Sequence, residues 1–234
     1  MSTEEPDVHF SPGEKQPQQR ISRQRVVGAA TRRETRGKVL AAAAAEFAER
    51  GYVKATVARI ADRADVAVQT VYHAWGSKRA ILRAVMEAAI VGRDAGFQPG
   101  RQFRDPLIGG LDASDNVEPG LFIAHLARKY RALAERSATG WQTYRDAAAV
   151  DTDIADDWQQ LQLIRRDAFH DVMAHLPPGA LHSHLTRSQA ADTAWVIASP
   201  ETYELLVRRA GMTHDDLEEW VRTTLSSALL HDSR

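Results

Sequence analysis

The chain has no cysteine among its 234 residues, which rules out a disulfide framework and a thiolate metal site. No run of about twenty apolar residues occurs anywhere, so no membrane-spanning helix is expected. The opening residues lack the apolar stretch of a secretory leader, and a cytoplasmic location is expected. A Gly-rich phosphate loop, a nucleophile elbow and an HExxH pair are all missing. No enzyme activity, cofactor or metal is therefore expected.

Net charge is also low, at −1, but that total conceals an uneven distribution. Residues 20–91 hold fourteen Lys or Arg against six Asp or Glu, a net of +8. The residues before them carry −3 and those after them −6. A basic N-terminal module on an acidic body favours polyanion binding at one end and solubility at the other. Pro6, Pro12, Pro17, Gly13 and a run of Gln and Ser leave residues 1–31 without an apolar period, so this stretch is expected to be a disordered arm. It turns basic toward its end, with Arg20, Arg23 and Arg25 followed by Arg32, Arg33 and Arg36. Such an arm either follows a DNA backbone or minor groove or is a plain tail.

Residues 56–78, TVARIADRADVAVQTVYHAWGSK, carry the pattern of two short helices joined by a turn. Thr56 stands as N-cap before Val57, Ile60, Ala61 and Ala64, whose spacing makes one buried stripe. The period breaks at Ala64, Asp65, Val66 and Ala67, and Asp is suited to a turn because it bonds its own backbone. Val68, Val71, Tyr72 and Trp75 resume the helical spacing and leave Gln69, Thr70 and His73 facing outward. Two helices in this arrangement match the DNA-binding unit whose second helix enters the major groove.

Gln pairs bidentately with adenine and Thr bonds bases or packs on the thymine methyl, so Gln69 and Thr70 are the expected base readers. Tyr72, His73 and Lys78 are expected on phosphate oxygens, which set register, and Thr56 completes the expected DNA-binding set. Ser77 is the expected N-cap of a helix over 78–91, where a phosphate would pair with both Lys78 and the free amides. The alternative for this segment is a three-helix bundle whose outer polar residues are incidental.

Over residues 36–85 the chain resembles the tetracycline-repressor (TetR) family of bacterial regulators. Phe47, Gly51, Tyr52, Thr56, Ile60, Ala61, Thr70, Val71, Tyr72, Ser77 and Lys78 stand where that family's pattern places them. Asp65 replaces the turn glycine, Ala67 the serine opening the recognition helix, Gln69 the glycine before Thr, and Ala74 a frequent aromatic or histidine. The resemblance implies an all-α protein. Its helix-turn-helix domain is expected over residues 32–78, and a larger helical ligand-binding and dimerisation domain over 79–234.

The region after the motif reads as helix throughout. A loop-like stretch carries Gly92, Gly96, Pro99, Gly100, Pro106, Gly109, Gly110, Pro119 and Gly120. An apolar helical face follows over 119–137, Gly140 is expected to interrupt it, and a further helical region covers 141–176 before Pro177, Pro178 and Gly179. Thr186 with Gln189 and Thr213 with Asp216 have capping-box spacing, and Ser199-Pro200 reads as an N-cap with proline at the first helical position.

The C-terminal segment is similar to regulatory domains of the same family, which implies a four-helix homodimer interface. Trp195, Leu217, Trp220, Val221, Thr224, Leu225 and Ala228 are its candidates, and intramolecular core is the competing reading for the last helix. A short recognition helix reads few base pairs, so pairing by a two-fold axis, on a palindromic operator in double-stranded DNA, is also a geometric need. The family further implies a cavity for an unknown small-molecule effector. Aromatic walls with few polar groups suggest Phe122, His125, Trp141, Tyr144, Trp158, Phe169, Met173 and Trp195.

The expected function is a sequence-specific transcriptional regulator, a ligand-responsive repressor. A ligand-independent architectural DNA binder is the main alternative, and an all-helical enzyme or metal-binding protein a weaker one. His170, His175, His182 and His184 flank a turn without metal-ligand spacing, and Asp151, Asp153, Asp156 and Asp157 read as a solvated helix start.

Overall fold

The computed structural model describes residues 17–91, 104–110 and 117–231, with side chains from residue 29 onward. The chain divides into two compact units, Met1–Lys38 and Val39–Arg234. In the first, the helix α1 (Pro17–Lys54) already begins at Pro17. This corrects the expectation of an irregular arm as far as residue 31. Proline suits the first helical position, and the Gln, Arg and Ala residues after it are good helix formers with no further proline among them. Glu34 and Lys38 pair at 2.9 Å one turn apart on its exposed surface. Residues 1–16 and the side chains of Arg20, Arg23 and Arg25 lie outside the described residues.

The second unit opens with the rest of α1, which puts Val39, Ala43 and Phe47 into the core. Gly51, at φ 70°, bends the chain where only glycine adopts that conformation at little cost. Then α2 (Val57–Arg63) starts on Thr56, whose hydroxyl accepts the Arg59 amide at 3.2 Å. Val57, Ile60, Ala61 and Ala64 are all buried. Asp65 takes the turn with φ 54°, the left-handed conformation that the family's glycine would adopt freely. Helix α3 (Val68–Trp75) buries Val71 and stops at Gly76. Ser77 caps α4 (Lys78–Val91) by accepting the Ala80 amide at 3.1 Å.

Helix α4 belongs both to this module and to the body behind it. Ile81, Leu82, Val85, Met86 and Ile90 are buried in a core continuous with both. The boundary expected after Lys78 therefore falls inside one compact unit. Within the expected loop, Pro106 lies in a short helix, α5 (Arg104–Ile108), whereas Gly92, Gly96, Pro99 and Gly100 lie outside the described residues.

The body is built on α6 (Pro119–Ala148) and α7 (Thr152–Met173). Gly140 does not interrupt α6, as the sequence suggested. It lies where α4 crosses, and a Cβ there would meet Met86 Sδ at 2.9 Å. The break falls instead before Thr152, where Asp151 caps α7 through the Ile154 amide. Helix α8 (Arg187–Ile197) starts on the Thr186–Gln189 capping box. Ser199 caps α9 (Pro200–Tyr203), which runs on as a π-helical turn over Glu204–Arg209, and Thr213 caps α10 (His214–Leu229). Among the described residues there is no β-strand, only an isolated bridge between Leu181 and Leu230. None of their helices is long and apolar enough to cross a membrane.

Candidate nucleic-acid interface and effector cavity

Helix α3 turns Gln69, Thr70, Tyr72 and His73 outward, and all four side chains are exposed. Each position follows from the anchoring of Val71 in the core, because residues one and two places away on a helix point elsewhere. Tyr72 falls within the apolar stripe by spacing, yet about half of it (51 %) is exposed. Thr56 is exposed too, but its hydroxyl is occupied by the cap of α2.

Lys78 has a structural task that the sequence did not reveal. Its ammonium donates to the carbonyl oxygens of Tyr52 at 2.8 Å and Ala55 at 3.0 Å, and stands 4.2 Å from the centre of the Tyr52 ring. Burial lowers its pKa below the usual lysine value. Two of three donors thus tie the start of α4 to the end of α1.

Residues 39–85 match the family model described as bacterial regulatory proteins, tetR family. The chain carries a tetR-family DNA-binding domain. The fold as a whole agrees. A transcriptional regulator of that family from Rhodococcus sp. is 15% identical, with 84% of this chain and 98% of that chain covered at a TM-score of 0.61. NalD, the secondary repressor of the MexAB-OprM multidrug efflux pump in Pseudomonas aeruginosa, is 17% identical over 85% and 98%, at a TM-score of 0.61. A SmeT–triclosan complex is 18% identical over 85% and 93%, at a TM-score of 0.62. A comparison with curated proteins finds no match. The match covers the helix-turn-helix, and the whole chain shares with these structures the fold of an N-terminal helix-turn-helix followed by a helical body.

In this tetR-type framework α4 is held to the body by charged groups. Asp157 of α7 is buried, and its carboxylate accepts from Arg79 Nε at 2.7 Å, Arg79 Nη2 at 2.8 Å, Arg83 Nη2 at 2.6 Å and the Tyr144 hydroxyl at 3.3 Å. The hydrogen bonds from Arg79 lead in lowering its pKa below the usual carboxylate value. Asp157 was expected among solvated acids, a correction that only the packing supplies. At the other end of α4, Arg136 of α6 donates to the carbonyl oxygens of Ala89 at 2.8 Å and Ile90 at 2.7 Å. An arginine at a helix C-terminus satisfies free carbonyls and complements the dipole.

A cavity open to solvent lies among α5, α6, α7 and α9. Its walls are mainly apolar: Leu107, Leu133, Ala134, Ala138, Trp141 and Phe169, closed by Ala198 and Pro200. Tyr130, Ser137, Tyr203 and Arg165 supply the polar atoms. Of the residues expected there, Trp141 and Phe169 line it, and Trp158 lines an adjoining hollow. Phe122, His125, Tyr144, Met173 and Trp195 line neither, because their side chains are taken up by the core or by other partners. Tyr144 serves Asp157, and the Trp195 ring packs 5.1 Å from the Arg165 guanidinium. Arg165 was missed, although an arginine between Leu161 and Phe169 at helical spacing was a visible anomaly on an apolar face.

The expected dimer residues separate into two sets. Leu217, Val221 and Leu225 are fully buried within the chain and leave no surface for a partner, which corrects their assignment. Trp220, Thr224 and Ala228 form a half-buried row beside them on α10, and Trp195 is half-buried on α8. The histidines are likewise separate: His170 meets Asp192 at 3.1 Å, His175 meets the Asp171 carbonyl, and His182 stacks on His184. No three metal-ligating side chains converge among the described residues.

Proposed function

We propose that this chain is a ligand-responsive repressor, which binds a palindromic operator as a homodimer and is released when an effector fills the cavity beside Trp141 and Phe169. One observation carries the reading. The helices that wall the cavity, α6 and α7, are the same two that grip α4, through Arg136 and Asp157. Displacement of either wall by a ligand moves α4, and with it the recognition helix that α4 follows. This gives two sites coupled through one shared element, the physical content of allostery.

The dimer reading rests on α10. A recognition helix of eight residues reads few base pairs, and a two-fold axis through Trp220, Thr224 and Ala228 would present two of them at half-sites about 34–36 Å apart or a multiple of that. Gln69 and Thr70 take the role of base readers, while Tyr72, His73 and the remaining donor of Lys78 hold phosphates, with Thr56 at their edge. The similarity to NalD, a repressor, and to SmeT, solved as a triclosan complex, supports the functional class by analogy.

The test is fluorescence anisotropy with DNA from the gene's own upstream region, across a salt series. A specific regulator retains that DNA over unrelated sequence and loses affinity steeply with salt. Equal affinity for unrelated DNA would instead identify an architectural binder. Sedimentation equilibrium on the same sample reads the dimer.

A further inference from the structure

The cavity contains a charge that the fold leaves poorly balanced. Arg165 is only 5% exposed, yet it has no ion-pair partner among the described residues, and Glu201 acts on it only through charge at a distance. Nη1 donates to the carbonyl oxygens of Trp195 at 3.0 Å and Ala198 at 3.2 Å, and Nε to Gln162 Oε1 at 3.3 Å. These bonds cap the end of α8 and fix the plane of the guanidinium. Nη2 is engaged by no hydrogen bond among the described residues, on a side chain that forms part of the cavity wall.

Burying a cation without a carboxylate is costly, and the cost falls if a ligand brings the anion. Burial lowers Arg165 to about 10, so it still carries its charge at neutral pH. The other polar groups of the wall are already committed: Tyr130 donates to the Ser199 carbonyl at 2.8 Å, Ser137 to the Leu133 carbonyl at 2.6 Å, and Tyr203 meets His214 at 2.9 Å. One cation and no second free donor suit a single anionic group. The remaining wall is apolar, which suits an apolar body.

We infer that the effector is a monoanionic amphiphile, a single carboxylate on an apolar chain, with the carboxylate on Arg165 and the chain along Leu133, Ala138, Trp141 and Phe169. This rests on the effector-cavity reading above and deepens it by naming the ligand's chemical class. A planar carboxylate matches the flat guanidinium and forms a charge-assisted bond, whereas the alcohol of the same length offers only a neutral one.

The test is calorimetric titration of the full chain with sodium decanoate and with 1-decanol, both below micelle-forming concentration, followed by anisotropy on operator DNA with each. Decanoate is expected to bind at least about tenfold more tightly than decanol, as a charge-assisted bond requires. Arg165→Met should abolish the preference and Arg165→Lys should retain part of it. Ala138→Phe, which fills the cavity and leaves Arg165 in place, should abolish binding of both. That variant serves if loss of the α8 cap unfolds Arg165→Met. Equal affinities, tighter decanol, or decanoate binding that survives Ala138→Phe would overturn the inference, as would no binding of either. Decanol binding that releases DNA without carboxylate preference would sink the ligand class while leaving the proposed regulator standing. Carboxylate-selective binding with no effect on DNA would do the reverse.

Discussion

Replacing Asp157 by Asn removes one charge from the joint between α4 and the body while keeping the side chain's shape. The native carboxylate accepts four hydrogen bonds, three of them from arginines. Asn keeps a single acceptor oxygen and turns an NH2 toward guanidinium donors, so at least one charge-assisted bond is lost and a donor faces a donor. Breaking a fully buried pair costs about 3–5 kcal/mol. Here the Arg79 and Arg83 side chains are 37% and 55% exposed, so water recovers some of that loss. The expected cost is about 2 kcal/mol, within the range for hydrogen bonds to charged groups.

For a chain of this size that is a fall of about 4–8 °C in melting temperature. The assay is thermal unfolding by circular dichroism of both proteins, from pH 7 downward. Because Asp157 titrates below its ordinary value, its contribution is complete above the unfolded carboxylate value of about 3.9. It is lost as pH falls through the lower native value. The gap between the two proteins should therefore be full at pH 7 and close in strong acid. A variant that melts within about a degree of the native protein at pH 7 would refute the brace, as would a gap unchanged in acid.

Three other substitutions bear on named contacts. Gln69→Ala should alter operator preference by about 1–3 kcal/mol at one base pair, whereas Tyr72→Ala should weaken all DNA about equally; a selection over randomised half-sites distinguishes them. Asp65→Gly should raise stability by up to about 1 kcal/mol in denaturant unfolding, because it relieves the left-handed conformation at φ 54°. An unchanged or lowered midpoint would count against that strain. Gly140→Leu should destabilise by about 1–3 kcal/mol through overpacking on Met86 at the α4–α6 crossing, read by thermal unfolding.

Local chemistry was legible wherever a neighbour in sequence supplies the partner. The caps at Thr56, Ser77, Asp151, Thr186, Ser199 and Thr213 each bond an amide within three residues, so spacing alone can announce a cap. The outward set on α3 was legible for the same reason, as helical period separates it from Val71. Gly140 misled because a glycine looks the same whether it ends a helix or admits another helix closely. Asp157 misled because an acid in an acidic run is ordinary until two arginines from a distant helix meet it. The aromatic residues suggested for the cavity shared the composition of core, and only Trp141 and Phe169 proved to face the main space.

The sequence by itself therefore determined the helical class, the helix-turn-helix and the outward polar face of its second helix, since these depend on period and on contacts a few residues long. Tertiary structure alone decided that Lys78 is a tie, that Asp157 is a brace, that Leu217, Val221 and Leu225 belong to the core, and that Arg165 stands at a cavity wall. Each of those roles is set by groups far away in the chain. The energy of a charge depends on which distant partners and how much water surround it, and neither is written in its neighbours.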